Sequence, residues 1–168
     1  MIMIDSTEQI HGICLELAAL LRARGERLVV AESCTGGWVA KVLTDLPGSS
    51  DWFDRGYVSY SNQAKQSMLG VNAETLARYG AVSLQTVGEM TRGALEQSGA
   101  DLALAVSGIA GPGGGSQDKP VGTVCFSWQM ASRDPRLEQC CFVGDREQVR
   151  LQTVDHALHQ LIRLIENA

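Results

Sequence analysis

Apolar positions in this chain switch between a three-to-four-residue period and short unbroken runs, and the switches divide it into helices and strands. Ile10, Cys14, Leu17, Leu20 and Leu21 recur at helical steps between Thr7 and Arg24, and Gly25 stops the pattern. Leu28 to Ala31 reads as a buried strand, and Trp38, Val39, Val42 and Leu43 then begin a second helix. The breaker cluster Pro47-Gly-Ser-Ser50 precedes Trp52 to Tyr60, whose β-branched and aromatic content predicts another strand. Asn62 is read as the cap of a short helix carrying Lys65, Met68 and Leu69, residues 73 to 79 as another, and Ser83 as the cap of a helix from Leu84 to Gln97 closed by Gly99.

Leu102 to Val106 is a buried strand. Gly108 to Lys119 is a glycine- and proline-rich loop, and Val121 to Met130 and Leu137 to Val143 are strands paired across the polar turn at Ala131 to Arg136. Asp145-Arg-Glu-Gln148 has the form of a capping box, and Val149, Val154, Leu158, Leu161 and Leu164 give the last helix its apolar stripe. The pattern predicts an α/β fold, a three-layer α/β/α sandwich with a mixed sheet. With no repeat or long linker, residues 1–168 are expected to form a single domain.

Composition narrows the partners. A net charge of −5 without any Lys/Arg block argues against nucleic-acid binding by counterion release. No apolar run is long enough to span a bilayer, and Met1 to Asp5 lacks a basic flank and a cleavage site, so a cytoplasmic protein with no membrane partner is expected. Five cysteines without C-x-x-C spacing suggest reduced thiols rather than a disulfide framework or a zinc site.

Four constellations hold candidate chemistry. Ser33-Cys-Thr-Gly-Gly37 lies between a strand and a helix, where free amides and the helix dipole favour an oxyanion. It is either a nucleophile loop, through Ser33 or Cys34, or a helix cap with glycines for tight packing. Tyr60 to Lys65 sets a phenol beside an amine that desolvation would turn into a base; the alternative is a packed tyrosine and a solvated lysine. Ser107 to Gly115 offers unobstructed amides for a phosphate or a flat ring, or is a plain connection, and it lacks the Gly-Lys-Ser/Thr of a Walker loop. Arg146 and Arg150, one turn apart, either meet a phosphate or form a solvated face. His156 and His159 share a helix without a third ligand at a sensible spacing, so they are read as surface residues, with no metal.

Taken together, Ala31-Glu-Ser-Cys-Thr-Gly-Gly37, Tyr60-Ser-Asn-Gln-Ala-Lys65 and Ser107-Gly-Ile-Ala-Gly-Pro-Gly-Gly-Gly115 with Lys119-Pro-Val-Gly-Thr-Val124 resemble the CinA C-terminal domain family over nearly the whole chain. The resemblance implies a stand-alone nicotinamide-nucleotide amidohydrolase of pyridine-nucleotide salvage, without the N-terminal domain carried by competence/damage-inducible proteins. It implies Ser33 as nucleophile, Lys65 as base and Tyr60 as the residue completing the site, holding the lysine and relaying its proton. Cys34, Thr35 and Gly36 are expected around the oxyanion, and the Gly108, Ile109, Ala110 and Gly111 backbone with Arg146 around the nucleotide. Ser107 stands where the family commonly has threonine, and Gly113 where it often has aspartate. A small-molecule nucleotide substrate, no cofactor and a homodimer are expected. The competing readings are a Cys34 thiolate enzyme, a non-catalytic nucleotide-binding module and a regulatory partner in DNA uptake or damage response.

Overall fold

The strands alternate two kinds of side chain, and that alternation sets the layers of the fold. The computed structural model describes residues 6–168. The expectation that Met1 to Asp5 carries no targeting signal lies outside the described residues.

In chain order the elements are α1 (Ser6–Arg24), β1 (Leu28–Glu32), α2 (Trp38–Thr44), β2 (Phe53–Val58), α3 (Asn62–Leu69), α4 (Ala73–Tyr79), α5 (Leu84–Ser98), β3 (Leu102–Gly108), β4 (Thr123–Met130), β5 (Arg136–Cys141) and α6 (Arg146–Glu166). The sheet order is β2-β1-β3-β4-β5, with β2, β1 and β3 parallel and β4 and β5 antiparallel to their neighbours. This is the mixed sheet with helices on both faces that the hydrophobic pattern predicts.

Successive strand residues point to opposite faces. Leu28, Val30, Leu104, Val106, Phe126 and Trp128 therefore meet α1, α2 and α6 in one core. The other face carries smaller residues, Ala31, Ala103, Ala105 and Cys125, and packs against Val87, Met90 and Ala94 of α5. Small side chains there let α5 lie close to the sheet, where Thr91 Oγ1 and Ser127 Oγ share a hydrogen bond at 2.8 Å and Thr91 Oγ1 also donates to Gln129 Oε1 at 3.0 Å.

Several boundaries move. Ser61, not Asn62, caps α3, its hydroxyl accepting from the Ala64 amide at 3.0 Å. Trp52 closes a 3₁₀ turn over Ser49–Asp51 rather than opening β2, because its ring is buried in the core while its carbonyl accepts from the Leu28 amide at 2.8 Å. β4 begins at Thr123, not Val121, and β5 ends at Cys141, not Val143. The Ser83 cap and the Asp145–Gln148 capping box are both present.

One close approach bears on the site. A Cβ added at Gly93 of α5 would lie 1.8 Å from the carbonyl oxygen of Leu69, at the end of the helix that carries Lys65. Backbone cannot yield as a side-chain tip does. Gly93→Ala is expected to destabilise the chain by on the order of 3 kcal/mol, lowering Tm by roughly 6–12 °C in a thermal melt. An unchanged Tm would mean that α3 and α5 are not held this tightly.

Candidate active site

β1, β2 and β3 are parallel, and their carboxyl ends deliver Ser33, Ser59 with Tyr60, and Ser107 with Gly108 to one edge of the sheet. The chain leaves β1 toward β2 on one side and reaches β3 on the other. In open α/β sheets such a reversal leaves a crevice at the strand ends. A cavity of about 180 Å³ opens there between Ser33, Cys34, Tyr60, Lys65, Ser107 and Arg146. Ala81, Val82, Gly108 and Ala110 complete its wall.

Lys65 reaches the crevice from the first turn of α3 and is fully buried. Its Nζ donates to Ser33 Oγ at 2.9 Å, to the Ser59 carbonyl at 2.8 Å and to the Tyr60 carbonyl at 3.2 Å. Burial pulls its pKa from the usual 10.5 down to about 8. A neutral amine in this position keeps two hydrogens on the carbonyls and turns its lone pair to the serine hydroxyl, the arrangement a general base requires.

The loop bearing Ser33 is clamped from two sides. Glu32, 1% exposed, accepts from Thr35 Oγ1 at 2.6 Å and from the Val39 and Ala40 amides at 2.8 and 3.0 Å. Arg150 donates to the Cys34 and Thr35 carbonyls, each at 3.0 Å, and lies over the Trp38 ring. Gly36 and Gly37, at φ +61° and +98°, make the left-handed turn into α2 that other residues rarely adopt.

The expected open helix terminus is therefore corrected, since Glu32 already occupies the first amides of α2. The Cys34 and Thr35 amides make no backbone hydrogen bond among the described residues; Cys34 borders the cavity, whereas Thr35 is fully buried and does not line it. Arg150, read either as a phosphate contact or as part of a solvated face, instead clamps the loop.

Arg146 joins the other two segments, donating to the Gly111 carbonyl at 2.9 Å and to the Tyr60 hydroxyl at 3.1 Å. The Tyr60 phenol thus faces Arg146 and stands more than half exposed, and it is the Tyr60 carbonyl that holds Lys65. The expected phenol–ammonium contact is not made. Thr35 is buried with its hydroxyl on Glu32, and Gly36 is exposed outside the cavity wall. The Ile109 amide and carbonyl are spent on Thr123 and Gly122, so its backbone is not free for a nucleotide, whereas Gly108 and Ala110 face the cavity.

Cys34 borders the cavity, but burial pushes its thiol up to about 12. Almost no thiolate exists near neutrality, and the thiolate is the nucleophilic form. Cys34→Ala is expected to keep kcat within about tenfold of the wild type, far less than the effect of losing a nucleophile. Loss comparable to a Ser33 variant, in the same assay, would transfer the chemistry to sulfur.

His156 and His159 part company. His159 stays near Asp155 at the surface, whereas His156 turns inward against Phe126, Trp128 and Phe142. Larger cavities elsewhere, about 300 Å³ beside His156 and about 240 Å³ beside Trp38, contain no nucleophile paired with a base.

The model of the CinA C-terminal domain matches residues 11–165. The chain belongs to the CinA C-terminal domain family. It is 54% identical to the nicotinamide-nucleotide amidohydrolase PncC of Escherichia coli strain K12, over 87% of this chain and 88% of that protein. It is 52% identical to the protein of that name from Enterobacter agglomerans, over 94% and 96% of the two chains. Among solved structures, a CinA superfamily protein from Klebsiella pneumoniae superposes with a TM-score of 0.91 at 41% identity, over 95% of this chain and 99% of that one. The family accounts for the mixed sheet; the Glu32 and Arg150 clamps are details that sequence reading missed. An acid ending an apolar strand just before a polar loop was the available signal for Glu32.

Proposed function

We propose that this chain is a nicotinamide-nucleotide amidohydrolase, converting nicotinamide mononucleotide and water to nicotinate mononucleotide and ammonia through a serine acyl-enzyme. The observation that carries the reading is the 2.9 Å contact between Ser33 Oγ and the buried Lys65 amine, in a chain half-identical to relatives bearing that name.

Neutral Lys65 takes the Ser33 proton as Oγ attacks the carboxamide carbon. The tetrahedral oxyanion forms against the Cys34 amide at the cavity wall. Lys65 returns the proton to the leaving nitrogen, ammonia departs, and the freed amine then activates the water that opens the ester. At about 180 Å³ the cavity is smaller than the roughly 300–1,000 Å³ of pockets that enclose a drug-sized ligand. It suits the pyridine carboxamide, leaving the ribose phosphate toward Arg146 and Tyr60 at the mouth. Five free cysteines fit a reducing cytoplasm, and among the described residues no helix is long and apolar enough to cross a membrane.

The test is purified chain incubated with nicotinamide mononucleotide, with nicotinamide and the dinucleotide in parallel. Equimolar nicotinate mononucleotide and ammonia are expected from the mononucleotide, with weaker turnover of the others. Tight binding of the mononucleotide without product would replace the enzyme by a nucleotide-binding module.

A further inference from the structure

A second group of reactive side chains lies between β5 and the middle of α6. Glu138 and Cys140 project from the same pleat face of edge strand β5, and His156 of α6 meets them with one nitrogen. His156 Nε2 is 3.6 Å from Cys140 Sγ and 3.4 Å from Glu138 Oε2, while Cys140 Sγ donates to Glu138 Oε1 at 3.7 Å. Glu138 Oε2 is shut off from solvent and accepts no hydrogen bond.

The three donor atoms lie within 4.8 Å of one another; the Sγ–Nε2 and Nε2–Oε2 separations match the edges of a coordination polyhedron, and the thiol's 3.7 Å contact is with the other carboxylate oxygen, Oε1. A tetrahedral zinc with bonds near 2.3 Å to sulfur and 2.0–2.1 Å to nitrogen and oxygen holds sulfur roughly 3.6 Å from its other donors, and nitrogen roughly 3.3–3.4 Å from oxygen. A thiolate, an imidazole and a carboxylate form a borderline-soft set that favours Zn²⁺ and its neighbours over Mg²⁺ or Ca²⁺. Phe126, Trp128 and Phe142 pack edge-on against the imidazole and restrict its plane.

We propose that Glu138, Cys140 and His156 bind one divalent transition-metal ion of the zinc class, with solvent completing the shell. Coordination releases the thiol proton to water and ties α6 to the sheet edge. The site is separate from the Ser33 crevice: His156 follows Arg146 by ten residues of α6, roughly 15 Å along its axis. The proposal does not depend on the reaction assigned to Ser33. No spacing pattern in the sequence announces it, because two ligands come from a strand and the third from the next helix.

The test is a Co²⁺ titration of the full chain, stripped with chelator and kept reduced. One Co²⁺ per chain and a thiolate-to-cobalt charge-transfer band are expected, with Zn²⁺ displacing the cobalt. Cys140→Ser removes the band. Cys141→Ser keeps it, since that thiol lies on the opposite pleat face, donating to the Val121 carbonyl at 3.9 Å. Glu138→Gln, at a partly exposed position, weakens Co²⁺ binding roughly tenfold or more while leaving the fold intact. Zn²⁺ at about 100 times its Kd raises wild-type Tm by roughly 5–10 °C. No band in the wild type at micromolar Co²⁺, or a titration unchanged in both Cys140→Ser and Glu138→Gln, overturns the site.

Discussion

Ser33→Ala is expected to lower kcat/KM for ammonia release from nicotinamide mononucleotide by at least about 10⁴-fold, while Tm stays within a few degrees of the wild type. The size follows from removing the atom proposed to form the acyl-enzyme; what would survive is the catalysis supplied by binding and the proposed oxyanion site alone. The fold should tolerate the change because the Ser33 amide, not its hydroxyl, ties the loop to β3, donating to the Val106 carbonyl at 3.1 Å. Mononucleotide affinity should persist, since Arg146 and the rest of the cavity wall are untouched. Product formation at the wild-type rate would end the serine mechanism, and a collapsed Tm would show that the hydroxyl holds the loop after all.

Lys65→Met is expected to lower kcat by about 10²–10⁴-fold, the usual contribution of a general base. Lys65→Arg should be equally poor, because a guanidinium keeps its proton throughout the accessible range. That pair separates a base from a mere positive charge. In the proposed mechanism the active form is the neutral amine, so kcat/KM should rise with pH through about 8 and level off above it. Both variants should lack this limb. Restored activity in Lys65→Arg would reassign the residue to electrostatic support.

The same shift has a signature in stability. A lysine at about 8 in the folded chain and near 10.4 when unfolded is charged in both states below pH 8, where burial costs most. Between about pH 8 and 10.4 the unfolded chain binds more protons than the folded one, so stability rises with pH. Relative to Lys65→Met, the wild type should gain on the order of 3 kcal/mol across that window. Thermal melts of both proteins at pH 7 and pH 10 measure the gap, and a gap independent of pH would mean that Lys65 is already neutral or fully solvated.

Much of the candidate site is legible in the amino-acid sequence. Ser33 stood where an apolar strand ran into a polar turn, and Lys65 on a short helix after a strand, but each alone was as easily a cap or a surface charge. Only their joint order with the glycine-rich loop gave them roles. Tyr60 shows the limit of that reading: the residue belongs to the cavity wall, but its phenol turns to Arg146 and its carbonyl holds the lysine. Ile109 was expected at the nucleotide from the family resemblance, yet Thr123 and Gly122 take up its amide and carbonyl. Arg150 lies on the same face as Arg146 one turn on, and the rise of roughly 6 Å between them sends one to the cavity mouth and the other behind the Ser33 loop.

Helix and strand periods, the Ser83 cap and the Asp145 capping box were set by residues within a few positions of one another, because local hydrogen bonds and the side-chain repeat act over one or two turns. The order of the strands, the partner of each buried polar atom and the turn of every side chain at the site depended on chain closure instead. Lys65 meets Ser33 across 32 residues and Arg150 meets Cys34 across 116. Glu138, Cys140 and His156 converge from a strand and a helix. Such contacts form only when the sheet is assembled and its two faces are covered, so no local period encodes them, and the tertiary packing alone decided that the amine is buried against the serine.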